Sequence, residues 1–147
     1  MNTKTTGNLS EAKVLAALLG AGYAVLLPWG DNERYDMVIE RAGSFERVQV
    51  KTGRIVRGAV RFKMYSVKPA TRAAPQATRY YTEAEVDLFG VYCPALEAVY
   101  LVPRSDLAAS DGVLRLDPAR NGQVTGVRYA AQYLVAPTPP GPVLSLA

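Results

Sequence analysis

The sequence predicts an α/β domain, one N-terminal helix packed on a β-sheet, and three observations carry that class. SEAKVLAALLG, residues 10–20, has apolar side chains at helical spacing and runs into the stop GAG. YDMVIE and FERVQVKT alternate apolar and polar residues and are joined by RAGS, the spacing and chemistry of a β-hairpin. DLFGVYC and AVYLVP flank PALE as a second hairpin.

The remaining elements follow in order. YAVLLP is a short apolar strand ending at Pro28, and WGDNER is a polar loop. AVRFKMYSV alternates as one further strand, whereas residues 66–81, rich in Pro, Ala, Thr and Arg, read as a long loop. SDLAA is a short helix, VLRLD a short strand and VRYAAQYLV a last helical turn or two. Residues 1–136 thus form a single domain, and 137–147, PTPPGPVLSLA, a Pro-rich tail.

Composition narrows the chemistry. The chain has 147 residues, 49% apolar and 20% charged, enough for one hydrophobic core. No apolar run is long enough for a membrane span, and the polar start MNTKTTGNLSEA has no signal-peptide core, so a cytoplasmic location is expected. The single cysteine, Cys93, cannot form an internal disulfide and fits packing better than chemistry. There is no histidine. That removes Cys/His zinc sites, Ser-His-Asp triads and histidine-metal nucleases, and leaves carboxylates, amides, lysine, hydroxyls or an oxygen-bound metal.

The net charge of +4 is modest, but its distribution is uneven. From Arg47 to Thr82 the chain carries nine Arg and Lys residues and no Asp or Glu. Such a block is either a polyanion-binding surface, because neutralised phosphates release counterions, or a solvated basic loop. Tyr65, Tyr80 and Tyr81 lie in or beside it, as packing for sugars and bases or as core and rim residues.

Four residues form a constellation. Glu11 heads the helical stripe Val14, Leu15 and Leu18; it is either a site carboxylate or part of an Asn8–Glu11 capping arrangement. Asp36 interrupts a strand, where Asp is depleted, and its bland alternative is an ion pair with Lys51. With the turn centred on Ala42–Gly43, opposed residues sum to 85, so Asp36 faces Gln49 and Lys51 lies one pleat away on the same face. A helix packed there would bring Glu11 as a second carboxylate. Two hard oxygen donors suit Mg²⁺, and an ammonium beside them can balance charge on a phosphate under attack.

These residues resemble the active-site pattern of the PD-(D/E)xK nucleases: Glu11 on a helix, Asp36 on a strand, and Gln49-x-Lys51 on the next. GNLSEAKV, GYAVLLPWGDNERYDMVIE, FERVQVKTGR and VYCPALEAVYLVP look closest to the branch that includes a group I intron homing endonuclease, with a D…QxK site. The resemblance runs from residue 3 to between about 103 and 135. It implies a restriction-endonuclease-like core with a mixed central sheet. It further implies a Mg²⁺-dependent endodeoxyribonuclease acting on double-stranded DNA, with Mn²⁺ substituting, working as a homo-oligomer, dimer or tetramer. By the same resemblance Asp36 is a metal ligand with the Val50 main-chain carbonyl, Lys51 positions or deprotonates the attacking water, and Glu11 holds a metal-bound water or second ion. Two departures stand out: Tyr35 replaces the proline before the key acid, and Gln49 replaces an acid, which removes one negative charge.

Thr52 and Arg54 at the strand end are then candidate phosphate contacts, and Arg57, Arg61 and Lys63 sit on a hairpin that could enter the major groove. Site-specific homing is the preferred activity. A Holliday-junction-resolvase-like nuclease is the alternative enzyme, and a catalytically silent DNA-binding protein the alternative from another class.

Overall fold

The computed structural model describes residues 1–108, 110–117, 122 and 126–137. The helix, α1, spans Thr3–Gly20, starting well before the expected residue 10. Its N-cap is Asn2, whose side chain accepts the Thr5 N–H at 2.9 Å. The capping role expected for Asn8–Glu11 is therefore overturned: those residues lie inside the helix, and Ser10 faces inward, buried. The stop is as the sequence predicts. Gly22, at φ 91°, and Tyr23 donate to the Leu19 and Leu18 carbonyls, a Schellman closure that needs the left-handed glycine.

Ten strands follow among the described residues: β1 (Ala24–Leu26), β2 (Met37–Arg41), β3 (Ser44–Thr52), β4 (Arg54–Val56), β5 (Ala59–Lys63), β6 (Tyr65–Lys68), β7 (Ala77–Tyr80), β8 (Leu88–Cys93), β9 (Ala98–Pro103) and β10 (Asp111–Arg115). The main sheet has the order β1-β2-β3-β8-β9. The β2–β3 register runs from Met37↔Val48 to Arg41↔Ser44, and every pair keeps the expected sum. Ala42 and Gly43, at φ 51° and 79°, make the tight turn whose twist suits a hairpin. β8 and β9 form the second hairpin, around the helical turn Pro94–Leu96. The pairing of β3 with β8 is parallel, so the sheet is mixed. A parallel pair needs a long crossover, and residues 53–87 provide it with strands rather than a helix.

That crossover corrects two expectations. AVRFKMYSV is two strands, β5 and β6, broken at the buried Met64 and belonging to different sheets. The expected long loop over 66–81 is mostly the antiparallel β6–β7 hairpin. β4 and β5 make a further hairpin turning at Arg57–Gly58, and β10 joins it in a three-stranded sheet ordered β10-β5-β4. The short helix and last helical turn of the sequence reading appear as single turns at Arg104–Asp106 and Ala130–Tyr133. Residues 138–147 of the Pro-rich tail lie outside the described residues.

The two faces of the main sheet bury different partners. Val14 and Leu18 of α1 pack on Val48, Val50 and Leu88, while Phe89 and Val91 on the other face pack on Val60, Phe62 and Leu114 of the small sheet. Each fully buried aliphatic side chain here is worth about 1.5–3 kcal/mol. Gly90 lets the helix close in: a Cβ there would lie 2.7 Å from Val14 Cγ1. Among the described residues, no helix is long and apolar enough to cross a membrane.

Candidate active site

Asp36 marks the end of the β2–β3 ladder. It sits one residue before β2 and does not continue the register opposite Gln49. Instead its N–H donates to the Val48 carbonyl at 2.9 Å, and its Oδ2 accepts the Val50 N–H at 2.8 Å. The carboxylate is thereby fixed across Gln49 against the main chain of β3, beside the peptide whose carbonyl the sequence reading names as a ligand.

Lys51 lies on the face opposite Val48 and Val50, as strand alternation requires. Its Nζ donates to the Tyr65 carbonyl at 3.0 Å and stands 4.7 Å from the centre of the Tyr81 ring. Arg34 stacks on the same ring at 3.9 Å. Arg34 also ties the β6–β7 hairpin down, donating to Glu85 Oε2 at 3.0 Å, Ser66 Oγ at 2.7 Å and the Tyr80 carbonyl at 3.1 Å. Among the described residues Lys51 forms no ion pair with Asp36, so the structural alternative for that acid is not what holds it. Arg34 and Glu85 escaped the sequence reading, and Tyr81 reads there only as a nucleic-acid platform or a core residue, not as a partner of Lys51. Only the proximity of Arg34 to Asp36 in the chain hinted at them, since their convergence depends on a hairpin that read as loop.

Glu11 needs one correction. The helix does not cover the Gln49–Lys51 face; it packs on the Val48–Val50 face. Glu11 nonetheless lies near enough to Asp36 to feel its charge. Burial pushes the Glu11 carboxyl above its ordinary range, and the Asp36 charge adds to that. Burial also raises Asp36, outweighing the opposing effects of the Val50 N–H and the Lys51 ammonium. Lys51 is driven the other way, down to about 8, by burial first; Asp36 opposes this, and Arg34 and Lys63 reinforce it. Acid and base alike are pushed toward neutrality.

Two crowded carboxylates of this kind suit a divalent cation. Among the described residues no three acidic or thiol side chains converge, so a cage of protein ligands alone is not present. Asp36 and Glu11, each within reach of the other's charge, with the main chain at Val50 beside Asp36, are a sparse oxygen set of the kind that suits a divalent cation keeping several of its waters.

The basic block divides. Arg47 is structural: it donates to Asp87 through its backbone and its guanidinium and to the Ala84 carbonyl, and Arg79 pairs with Glu85. Lys51, Arg54, Arg61 and Lys63 instead line a cleft of about 700 Å³ beside Val50. Thr52 lines it too, but its hydroxyl is shared with Ser10 Oγ at 2.6 Å, which pins α1 to the end of β3. Arg57 is exposed at the β4–β5 turn. Tyr81 is a core residue, while Tyr65 and Tyr80 pair across their hairpin at 5.3 Å.

Comparison with known proteins agrees with this architecture. No curated protein matches the chain. A solved structure, that of the bacterial homing endonuclease I-Ssp6803I, superposes with a TM-score of 0.70 at 22% identity, covering 91% of this chain and 89% of that one. The family model for PD-(D/E)XK endonucleases matches residues 1–136. With the helix, the mixed sheet and the Asp36–Lys51 geometry in the same span, the chain belongs to the PD-(D/E)XK endonuclease family.

Proposed function

We propose that the protein is a Mg²⁺-dependent endonuclease that hydrolyses phosphodiester bonds of double-stranded DNA, as a site-specific homing enzyme. The observation that carries this reading is one juxtaposition: Asp36 accepts the Val50 N–H, and Val50 and Lys51 line a cleft together with Arg54, Arg61 and Lys63. Asp36, Glu11, Gln49 and the Val50 carbonyl would hold the metal, which supplies electrophilic stabilisation of the phosphate and a lowered pKa for water. Lys51, fixed by the Tyr65 carbonyl and the Tyr81 ring, positions the attacking water or takes its proton. Arg54, Arg61 and Lys63 neutralise backbone phosphates, and Arg57 at the exposed turn is set to reach base edges. Support for homing comes from the likeness to a homing endonuclease and from this exposed basic hairpin. One chain carries one site, so cutting both strands takes a symmetric homo-oligomer, dimer or tetramer.

The test is cleavage of a random-sequence duplex library and of a four-way junction, with Mg²⁺, with Mn²⁺ and with EDTA, beside Asp36→Ala and Lys51→Ala. The expected result is metal-dependent cutting of a subset of duplexes that both variants lose. Preferential cutting of the junction would replace homing with resolution, and binding without product under either metal would sink the enzyme reading.

A further inference from the structure

The cleft has a second wall that the basic residues do not form. It is built from the first two turns of α1, through Thr3, Thr6 and Gly7. We propose that the scissile strand's sugar-phosphate backbone runs between these turns and the β4–β5 hairpin to reach Lys51. The inference rests on the nuclease reading and assigns the path of the strand.

Three observations support a polyanion in this space. Arg54 and Arg61 lie directly opposite each other across β4 and β5, a like-charge pairing that costs stability unless an anion lies between them. Arg61 Nε, like that of Arg115, has no hydrogen-bond partner among the described residues, and of the two Arg61 lines the cleft, so this donor is not spent on a protein acceptor. The wall facing them carries no acid, and Asp111, which opposes Lys63 in register, is the one acid of the lining.

Gly7 is the telling residue. Glycine inside a helix costs about 1 kcal/mol relative to alanine. Packing does not require it, because a Cβ at Gly7 would meet nothing within 4 Å. The glycine keeps the cleft wide where a strand must pass.

Charge of either sign placed at Gly7 tests this, because sterics and electrostatics then predict different outcomes. Binding of a labelled random-sequence duplex would be followed by anisotropy in EDTA over a salt series, for the parent, Gly7→Glu, Gly7→Lys and Gly20→Glu. Gly20 also has open space around it and lies at the far end of α1, about 20 Å away at 1.5 Å per residue. We expect Gly7→Glu to weaken binding about fivefold, and Gly7→Lys to tighten it and steepen the salt dependence by about one unit. Gly20→Glu should match the parent, since that distance exceeds the screening length of about 10 Å. Equal affinities for Gly7→Glu and Gly7→Lys, both weakened or both like the parent, would overturn the proposed path while leaving a parent that binds and cuts as a nuclease. A parent that binds no duplex would overturn both.

Discussion

Two aspartates close onto N–H groups of the same strand, three residues apart, with opposite outcomes. Asp87 Oδ2 accepts the Arg47 N–H at 2.7 Å, and the Arg47 guanidinium completes the contact with both carboxylate oxygens at 3.0 Å. That pairing holds the Asp87 carboxyl below its usual range. Asp36 Oδ2 accepts the Val50 N–H at 2.8 Å, but the neighbouring cation, Lys51, gives its hydrogen bond to the Tyr65 carbonyl. Burial then dominates, and the Asp36 carboxyl rises. A carboxylate on a strand N–H is thus structural when a guanidinium completes it. When the cation gives its hydrogen bond elsewhere, burial sets the charge of the carboxylate instead.

The sharpest way to break this contrast is to neutralise each acid in turn. Asp36→Asn and Lys51→Ala should each lower cleavage by at least about 100-fold, the scale for removing one preorganised charge at a reacting phosphate. Asp36→Asn should leave the melting temperature unchanged or raised, because it removes a charge that burial penalises. Asp87→Asn should do the converse, lowering stability by about 1 kcal/mol, discounted because the pair is partly exposed, with turnover per folded molecule unchanged. Activity assays beside thermal melts decide it; equal loss of both properties in both variants would erase the distinction.

The basic residues offer the next test. Arg61→Ala and Arg54→Ala should each flatten the dependence of log K on log salt by about 0.9, whereas Arg47→Ala should lower stability without changing the slope. Acid titration gives a smaller effect with a definite sign. The lowered pKa of Asp87 means its stabilisation is present above the unfolded value of about 3.9 and is lost as pH falls through the folded value. The raised pKa values of Asp36 and Glu11 act oppositely, since protonation relieves them as pH falls. Urea melts from pH 3 to 7 should therefore show a shallower acid-side decline for Asp87→Asn and a steeper one for Asp36→Asn. Smallest is Ser10→Ala, which removes the bond to Thr52 and should cost about 1 kcal/mol. A reduced cleavage rate per folded molecule would show that this tie also helps place Glu11.

The hairpin from Met37 to Thr52 could be read from the residues alone because its causes are local. Period-two alternation sets which side chains share a face, and Ala42–Gly43 sets the turn and hence the register. Gln49 and Lys51 on one face follow from that, and so does the helix stop at Gly22. The start of α1 was less legible, since Asn2 and Asn8 are both competent caps and only the inward packing of Ser10 against Thr52 selects between them. The parallel β3–β8 pair, the β6–β7 hairpin and the convergence of Arg34, Lys51 and Tyr81 were beyond local pattern altogether. The parallel pair joins residues 40 positions apart, the β6–β7 hairpin spans a loop without a tight-turn signal, and tertiary burial rather than propensity decides them.

By itself, then, the sequence determined the class of chemistry and the order of its parts: no imidazole, a carboxylate before a hairpin, an amide and an ammonium two residues apart, and a run of bases beyond. The tertiary structure decided which of those groups are spent. It gave Arg47 to Asp87 and the Thr52 hydroxyl to Ser10, turned Asp36 out of its ladder onto the Val50 N–H, and moved the helix to the opposite face of the sheet. The reason is physical. Residue type and spacing specify what a side chain can donate or accept, but burial and the nearest competing partner set its charge, and those come from segments far apart in the chain.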